Sequence, residues 1–249
     1  MSELHPATRG FGLAAEMYER GRPDYPEAAI ELLVERLGLR SGRTVVDLAA
    51  GTGKLTRLLV PRAADVIAVE PIAEMRALIT SARAVDGTAE AIPLGDESVD
   101  AVTVAQAFHW FRAQEALPEI RRVLRPGGGL ALIWNTRDEG DAVQAAISEI
   151  LEPLARDTPR RQKRDWRNVL DGSGLFTPCE TATFDHAQEL DEDGLVERFC
   201  SISFVASAPP EVYADVEARV RSLARRHGTP VRLPYITELY LAFAPPRLS

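Results

Sequence analysis

The chain has few cysteines, no long apolar run and no excess of positive charge, and each absence excludes a class of protein. Cys179 and Cys200 are the two cysteines in 249 residues, and they lack the spacing of metal ligands. We therefore expect two reduced thiols that pack as small hydrophobic groups, and no metal site. No apolar run approaches the about 18 residues that suggest a membrane span. The N-terminus MSELHPATRG lacks the charged start and apolar core of a signal peptide, so we expect a cytoplasmic protein without a membrane partner.

The charge balance argues against a nucleic-acid partner. Lysine and arginine number 29 against 37 aspartates and glutamates, which leaves a net charge of -8, whereas a nucleic-acid-binding domain usually presents a basic face. Hydrophobic residues make up 45% and charged residues 27%, as in ordinary globular proteins. A chain of this length can bury roughly 70 to 75% of its unfolded surface. The composition therefore suits one α/β domain with an elaboration.

The stretch from Val45 to Thr56, VVDLAAGTGKLT, predicts a strand, a tight turn and a helix. Two β-branched residues begin it, the turn is Gly51-Thr52-Gly53, and a helical pattern starts at Lys54. Glycine adopts backbone angles closed to other residues and leaves no Cβ between the backbone and a ligand. The helix that follows offers free N–H groups to an anion. This segment, called the glycine turn below, is therefore a candidate ligand site.

Two ligand classes that use such a turn fit the sequence only in part. The phosphate loop of nucleotide hydrolases needs Gly, four residues and then Gly-Lys-Ser/Thr, but Leu48 stands at its first position and Leu55 follows the lysine. A dinucleotide fold needs a third small residue at Thr56 and an acid about 20 residues further on. Glu70 supplies the acid, whereas the third glycine is missing.

A third class is indicated by several stretches that follow one another along the chain. Asp47 to Gly53 has the pattern acid, three residues, Gly-x-Gly; Tyr18 to Pro26 has the pattern Tyr-x-x-x-Arg-Pro-x-Tyr-Pro. GTAEAIPL spans Gly87 to Leu94, and LRPGGG spans Leu124 to Gly129. In this order they resemble the class I S-adenosylmethionine-dependent methyltransferases of the methyltransferase type 11 group. The resemblance is to small-molecule enzymes such as trans-aconitate methyltransferase and fungal detoxifying methyltransferases.

The resemblance implies an α/β fold with a Rossmann-like, seven-stranded, mostly parallel sheet sandwiched by helices. A helical lid would be built from the N-terminal segment and the C-terminal half. We expect one domain overall, with an N-terminal helical cap (1–40), a cofactor-binding core (41–138) and a C-terminal part (139–249) that completes the sheet and carries the substrate lid. Val231 to Phe243 would be the last strand, antiparallel in the family's sheet. The basic run from Pro159 to Arg167 is interpreted as a solvated face, with contact to an anionic substrate as the alternative.

The resemblance also implies a cofactor, S-adenosyl-L-methionine, and a product, S-adenosyl-L-homocysteine. In the family the acid and the glycine turn hold the amino acid end of the cofactor, and the later acid holds the ribose hydroxyls. Arg22 or Tyr18 would meet the cofactor carboxylate. Thr88 replaces the usual Asp at the adenine edge, where the backbone N–H of Ala89 could still contact the ring. The expected cofactor-binding residues are Tyr18, Arg22, Asp47, Ala49, Gly51, Gly53, Glu70, Pro71, Met75, Thr88, Ala89, Glu90 and Gln106.

The acceptor is expected to be a small molecule methylated on an oxygen, either a carboxylate or a hydroxyl. Enzymes that methylate amino groups of bases or proteins commonly carry Asn/Asp-Pro-Pro-Tyr/Phe after strand four, where this chain has Gln106-Ala107-Phe108-His109. His109 is the candidate general base for a hydroxyl acceptor, with packing beside Trp110 as its structural alternative. Trp110, Trp134 and Arg137 are the candidate substrate contacts.

Two other functions share part of this pattern. A nicotinamide-dependent oxidoreductase would share Glu70 and the glycines but would leave the stretches at Thr88–Leu94 and Leu124–Gly129 unexplained. A non-catalytic cofactor-binding module remains open because a fold does not determine a function. A homodimer also remains open.

Overall fold

The computed structural model describes residues 14–63, 65–155 and 166–246. Its strands are β1 (Thr44–Leu48), β2 (Asp65–Val69), β3 (Arg83–Val85), β4 (Val99–Ala105), β5 (Leu124–Arg137), β6 (Glu180–Leu190) and β7 (Val231–Phe243). Its α-helices are α1 (Ala15–Gly21), α2 (Glu27–Leu37), α3 (Lys54–Leu59), α4 (Ala73–Arg76), α5 (Ala113–Val123), α6 (Ala142–Ala155), α7 (Trp166–Gly172), α8 (Glu192–Cys200), α9 (Ser203–Ala206) and α10 (Pro210–His227). A short 3-10 helix spans Phe108–Trp110. Across these ranges no helix is both long and apolar enough to cross a membrane.

The seven strands form one sheet in the order β3-β2-β1-β4-β5-β7-β6. Strands β1 to β5 pair in parallel, and β7 runs antiparallel to both of its neighbours, β5 and β6. The predicted seven-stranded, mostly parallel sheet and its antiparallel last strand are therefore confirmed. The strand order reverses between β1 and β4, and ligands bind such sheets in the crevice beyond the carboxyl ends of the strands at that point.

Apolar residues alternate between the two faces of the central strands and build two cores. Val46 of β1 packs in one apolar cluster with α5 and α7, and its neighbour Val45 packs in the other with α2 and α3. This alternation follows from the period of two in a strand. A third cluster joins α6, α8 and α10 to the first half of β7, including Leu233. The C-terminal helices thus have a core of their own beside the sheet.

Two predicted elements differ from the observed ones. The helix expected over Ala73 to Arg83 ends at Arg76, and Arg83–Val85 forms strand β3 beside β2. Ile79, Thr80 and Ser81 in the segment that follows are weaker helix formers, and the chain instead pairs with the edge of the sheet at Arg83. Strand β5 begins at Leu124 because Leu124 pairs with Val99 before the register shifts. The LRPGGG stretch is therefore an irregular start of the strand rather than a separate turn.

Some predictions fall partly outside the described residues. The first residues of the helix expected from Phe11 lie outside them, and α1 is described from Ala15. Most of the basic run from Pro159 to Arg167 also lies outside; its last two residues open α7. The helix expected from Trp166 to Leu175 ends at Gly172.

Candidate active site

A pocket lies where the glycine turn, the end of β4, the segment after α1 and helix α8 meet. The predicted residues Tyr18, Arg22, Ala49, Gly51 and Gln106 all line it. These residues are up to 88 positions apart in sequence (Tyr18 to Gln106), yet they share this one pocket. The carboxyl ends of β1 and β4 bring them together, as the strand order requires.

The turn and the end of β4 both have left-handed backbone conformations. Gly51 and Gly53 have φ of 59° and 85°, which glycine adopts without steric cost. Ala49 (φ 55°) and Gln106 (φ 58°) adopt the same region with a Cβ, at a cost of about 1–2 kcal/mol per residue. Such strained residues cluster at functional sites, and both line the pocket.

Asp47 lies beneath the turn and is fully buried. Its Oδ2 accepts a hydrogen bond from Thr56 Oγ1 (2.6 Å), and its Oδ1 accepts one from Thr103 Oγ1 (3.2 Å). Burial raises the pKa of this carboxyl to about 6, and these hydrogen bonds oppose the shift. Asp47 therefore links the end of β1 to α3 and β4 by hydrogen bonds. Its direct contact with the cofactor stays a prediction.

Glu70 follows β2 and binds the turn from the side. Its Oε2 accepts a hydrogen bond from the Gly51 N–H and its Oε1 one from the Ile72 N–H, both at 2.8 Å. Burial raises the pKa of Glu70 to about 7, although both N–H donors favour the ionised form. A carboxylate oxygen has two lone pairs, so each oxygen can accept a further hydrogen bond from a ligand.

The predicted residues after Glu70 lie beside the turn. Pro71 follows it directly and is half-buried. Met75 is buried, and its Cε lies 3.6 Å from the position that a Cβ on Gly51 would take. Met75 thus supports the turn from outside the lining of the pocket.

The predicted adenine stretch forms a closed loop. Thr88 pairs with Ala91 in an isolated β-bridge, and Ala89 is buried in the apolar cluster of the α5 face. Glu90 Oε1 accepts a hydrogen bond from the Arg112 N–H at 2.9 Å. Glu90 therefore stabilises the start of α5, a role that the sequence pattern did not indicate.

His109 and Trp110 lie in the 3-10 helix, and both are half-buried. Their ring centroids are 5.4 Å apart. Neither is among the residues that line the pocket. The structure thus shows the packing alternative for His109, and its role as a base stays a prediction.

Trp134 does not lie above the site as expected. It is 2% exposed, and its ring packs 4.9 Å from Trp166 and 5.8 Å from Tyr240, centroid to centroid. The reason is strand alternation: Trp134 points to the face of the sheet that holds Leu132, and the next residue, Asn135, lines the pocket instead.

Arg137 and Asn135 continue β5 at its carboxyl end. Arg137 Nη2 donates to Ser148 Oγ at 2.9 Å, and its guanidinium lies 5.9 Å from the Phe199 ring. Asn135 Nδ2 donates to the Asp24 carbonyl at 2.9 Å. Arg137 therefore contacts helices α6 and α8, whereas Asn135 anchors the N-terminal segment beside the pocket.

Arg198 is a pocket residue that the sequence analysis missed. It lies on α8, is 5% exposed, and its Nε donates to the Tyr235 hydroxyl at 2.9 Å. Arg22 stands nearby with its guanidinium 4.6 Å above the Tyr18 ring. Burial, and secondly the charge of Arg198, lower the pKa of Arg22 to about 10. The available signal was an arginine three residues after Leu195, on the apolar stripe of an amphipathic helix.

A Rossmann-like sheet with an antiparallel seventh strand, and a pocket at its glycine turn, define a class I methyltransferase fold. Residues 46–132 match the family model described as a methyltransferase domain. A methyltransferase of Mycobacterium tuberculosis is 42% identical over 239 residues, which cover 91% of this chain and 92% of the relative. One of Schizosaccharomyces pombe is 36% identical over 221 residues, covering 85% and 87%.

Solved structures agree with these relatives. A structure described as a type II methyltransferase from Anaeromyxobacter dehalogenans matches with a TM-score of 0.60 and 26% identity, covering 91% of this chain and 99% of that one. The chain belongs to the class I S-adenosylmethionine-dependent methyltransferases. It is therefore an enzyme of this family rather than a nicotinamide-dependent oxidoreductase or a non-catalytic module.

Proposed function

We propose that this methyltransferase binds S-adenosylmethionine in the pocket at the glycine turn and transfers its methyl group to an oxygen of a small-molecule acceptor. One observation carries the proposal. Gly51 and Arg22 line one pocket, and Glu70, which lies outside that lining, accepts a hydrogen bond from the Gly51 N–H, so a nucleoside with an amino acid arm bound at the turn can reach all three.

Each of the three groups has a chemical counterpart on the cofactor. Arg22 offers a guanidinium to the carboxylate of the methionine arm, and such charge-assisted pairs are strong. The bare backbone at Gly51 admits the arm close to the chain. Glu70 offers its second lone pairs to the two ribose hydroxyls. Met75, whose side chain lies against Gly51, is the apolar group beside the turn that the adenine would contact.

The reaction asks little of the protein beyond positioning. The methyl carbon of a sulfonium is already activated, so the enzyme gains rate by holding the acceptor oxygen, methyl carbon and sulfur in line and by excluding water. The N-terminal segment, which Asn135 holds in place, covers the pocket on one side, and α8 covers it on another. These covers favour a small acceptor.

A hydroxyl acceptor and a carboxylate acceptor differ in whether the enzyme must supply a base. A hydroxyl must lose its proton, and His109 is the candidate from the sequence, yet it stands outside the lining of the pocket. A carboxylate is already ionised at neutral pH. The geometry therefore favours a carboxylate acceptor.

Calorimetric titration with S-adenosylhomocysteine, S-adenosylmethionine and NAD tests the cofactor. The two sulfur nucleosides are expected to bind and NAD is not. Glu70→Ala should lower the affinity for S-adenosylhomocysteine by about tenfold or more, because hydrogen bonds to a charged group contribute about 1.5–3 kcal/mol. Glu74→Ala, on the exposed face of the adjacent α4, is the matched control. Binding of NAD alone would overturn the proposal.

A further inference from the structure

Arg198 carries a buried charge with no ion pair to a carboxylate among the described residues; its guanidinium carbon lies 4.9 Å from the Phe199 ring centroid and 5.7 Å from that of Tyr235. Its Nε is held by Tyr235, and its buried Nη1 has no hydrogen-bond partner among them. It is 5% exposed and lines the pocket. An arginine buried without a carboxylate is costly, so this side chain is a candidate for a ligand contact rather than a structural ion pair.

A second guanidinium lies beside it. Arg22 lines the same pocket, and its buried Nε also has no hydrogen-bond partner within the described ranges. Both guanidinium groups belong to the lining of one pocket, and burial, followed by the charge of Arg198, lowers the pKa of Arg22. The pocket therefore has an excess of positive charge that two anionic groups would balance.

The cofactor of the proposed function cannot balance both guanidinium groups. It carries a sulfonium, an ammonium and one carboxylate, so its binding adds one net positive charge to the pocket. Its carboxylate can pair with Arg22, which leaves Arg198 without an anion. The remaining negative charge has to come from the acceptor.

The side chains that line the pocket also indicate which chemical class of anion the acceptor belongs to. The described lining residues include no histidine, aspartate or glutamate. Lys54 is paired with Asp24 at 3.2 Å, and burial raises the pKa of Tyr25 well above its ordinary value, which keeps the phenol protonated. Without a proton acceptor in this lining, an acceptor that is ionised in solution is favoured, and carboxylic acids are of this kind.

We propose that Arg198, held in place by Tyr235, binds a carboxylate of the acceptor and selects carboxylic acids as substrates. This inference rests on the proposed function. The methyl group leaves the sulfonium, the S–CH₃ bond breaks with its electrons on sulfur, and an O–CH₃ bond forms from a carboxylate lone pair. The products are a neutral methyl ester group and a thioether, so no proton is released.

Tyr235 is the positioning residue. Its hydroxyl accepts from Arg198 Nε and stands 3.5 Å from Gln188 Oε1, while Gln188 Nε2 donates to the Gly21 carbonyl at 3.0 Å. This chain of contacts sets the direction of the guanidinium. Tyr235→Phe removes the hydroxyl and keeps the ring.

The test uses the full chain saturated with S-adenosylhomocysteine. Straight-chain mono- and dicarboxylic acids of three to six carbons, their amides and inorganic phosphate are titrated by calorimetry. Acids are expected to bind and amides and phosphate are not. Arg198→Met should lower the affinity for the acids at least tenfold, Arg198→Lys should lower it less, and Tyr235→Phe should lower it severalfold. In all three variants the affinity for S-adenosylhomocysteine should change less than twofold. Arg219→Met, on the surface of α10, is the matched control.

Several results would overturn the inference. The wild type could bind none of the acids, or it could prefer phosphate to them. Arg198→Met could bind the acids as tightly as the wild type does. Arg198→Met could also lose as much affinity for S-adenosylhomocysteine as Arg22→Met does. The last result would assign both arginines to the cofactor. Failure of the wild type to bind S-adenosylhomocysteine in the first titration would instead count against the proposed function, which keeps the two failures apart.

Discussion

The backbone of Gly21, at the end of α1, lies directly against the backbone of Glu197 in α8. A Cβ on Gly21 would come within 2.5 Å of the Glu197 carbonyl carbon and 2.6 Å of the Arg198 nitrogen. The residues that follow these two contact points, Arg22 and Arg198, are the two arginines of the pocket. Close packing of two helices, far apart in sequence, therefore brings the two charges together.

Gly21→Ala should separate α1 from α8. Alanine favours a helix over glycine by about 0.5–1 kcal/mol, but overpacking against backbone costs typically about 1–3 kcal/mol, so we expect a net loss of stability in urea unfolding. Affinity for S-adenosylhomocysteine should fall as well, because Arg22 moves. Gly172→Ala, at the end of α7 with open space around it, is the control and should keep or gain stability. Unchanged stability in Gly21→Ala would contradict the contact.

Ala49→Gly should stabilise the protein. The left-handed backbone at Ala49 (φ 55°) costs about 1–2 kcal/mol with a Cβ, and the added freedom of glycine in the unfolded chain costs about 0.4–1 kcal/mol. The strain relief equals or exceeds this cost, so a net gain of about 0–1.6 kcal/mol is expected. Ala50→Gly, whose φ is not positive, should lose stability in the same urea measurement. Equal losses in both variants would show that Ala49 is not strained.

Glu70 should make the protein less stable as the pH rises from about 5 to 8. Burial raises the pKa of its carboxyl from 4.5 to about 7, so in this window the folded state binds more protons than the unfolded state, and the free energy of unfolding falls with pH. Glu70→Gln should flatten this slope, and Glu74→Gln should not. The measurement is urea unfolding at a series of pH values. An unchanged slope in Glu70→Gln would show that Glu70 ionises normally.

Affinity for S-adenosylhomocysteine should change with pH in the opposite sense. The ionised carboxylate of Glu70 accepts hydrogen bonds from the ribose hydroxyls better than the neutral acid does. We therefore expect calorimetric affinity to rise through pH 7 in the wild type and to stay flat in Glu70→Gln. A flat profile in both proteins would remove Glu70 from the ribose contact.

Substitution of Trp134 should lower the free energy of unfolding without lowering the affinity for S-adenosylhomocysteine. The ring is buried against Trp166 and Tyr240, and its truncation should cost about 3–5 kcal/mol. Trp134→Phe should retain a folded protein at a smaller cost. S-adenosylhomocysteine affinity of the phenylalanine variant should match the wild type, whereas Asn135→Ala, on the opposite face of β5, should weaken it. Normal stability of Trp134→Ala would place the ring outside the core.

Much of the cofactor half could be predicted because its determinants are local. Gly51 and Gly53 mark a turn by residue type, and Glu70 follows a buried strand at the distance that one crossover helix requires. Such features depend on neighbours along the chain, so one sequence reveals them. The same reasoning failed at Ala73–Arg83, where a helix and a sheet edge compete for a short segment and pairing with β2 is a tertiary contact.

The sequence by itself determined the position of the glycine turn, because β-branched runs and glycine spacing are set by neighbouring residues. Its resemblance to the class I methyltransferases implied the class of fold and the antiparallel last strand. Only the tertiary structure decided that Trp134 enters the core, that Glu90 holds the start of α5, and that Arg198 meets Arg22. These contacts join segments separated by up to 176 positions (Arg22 to Arg198), and no local pattern encodes which side chains face each other once the helices pack.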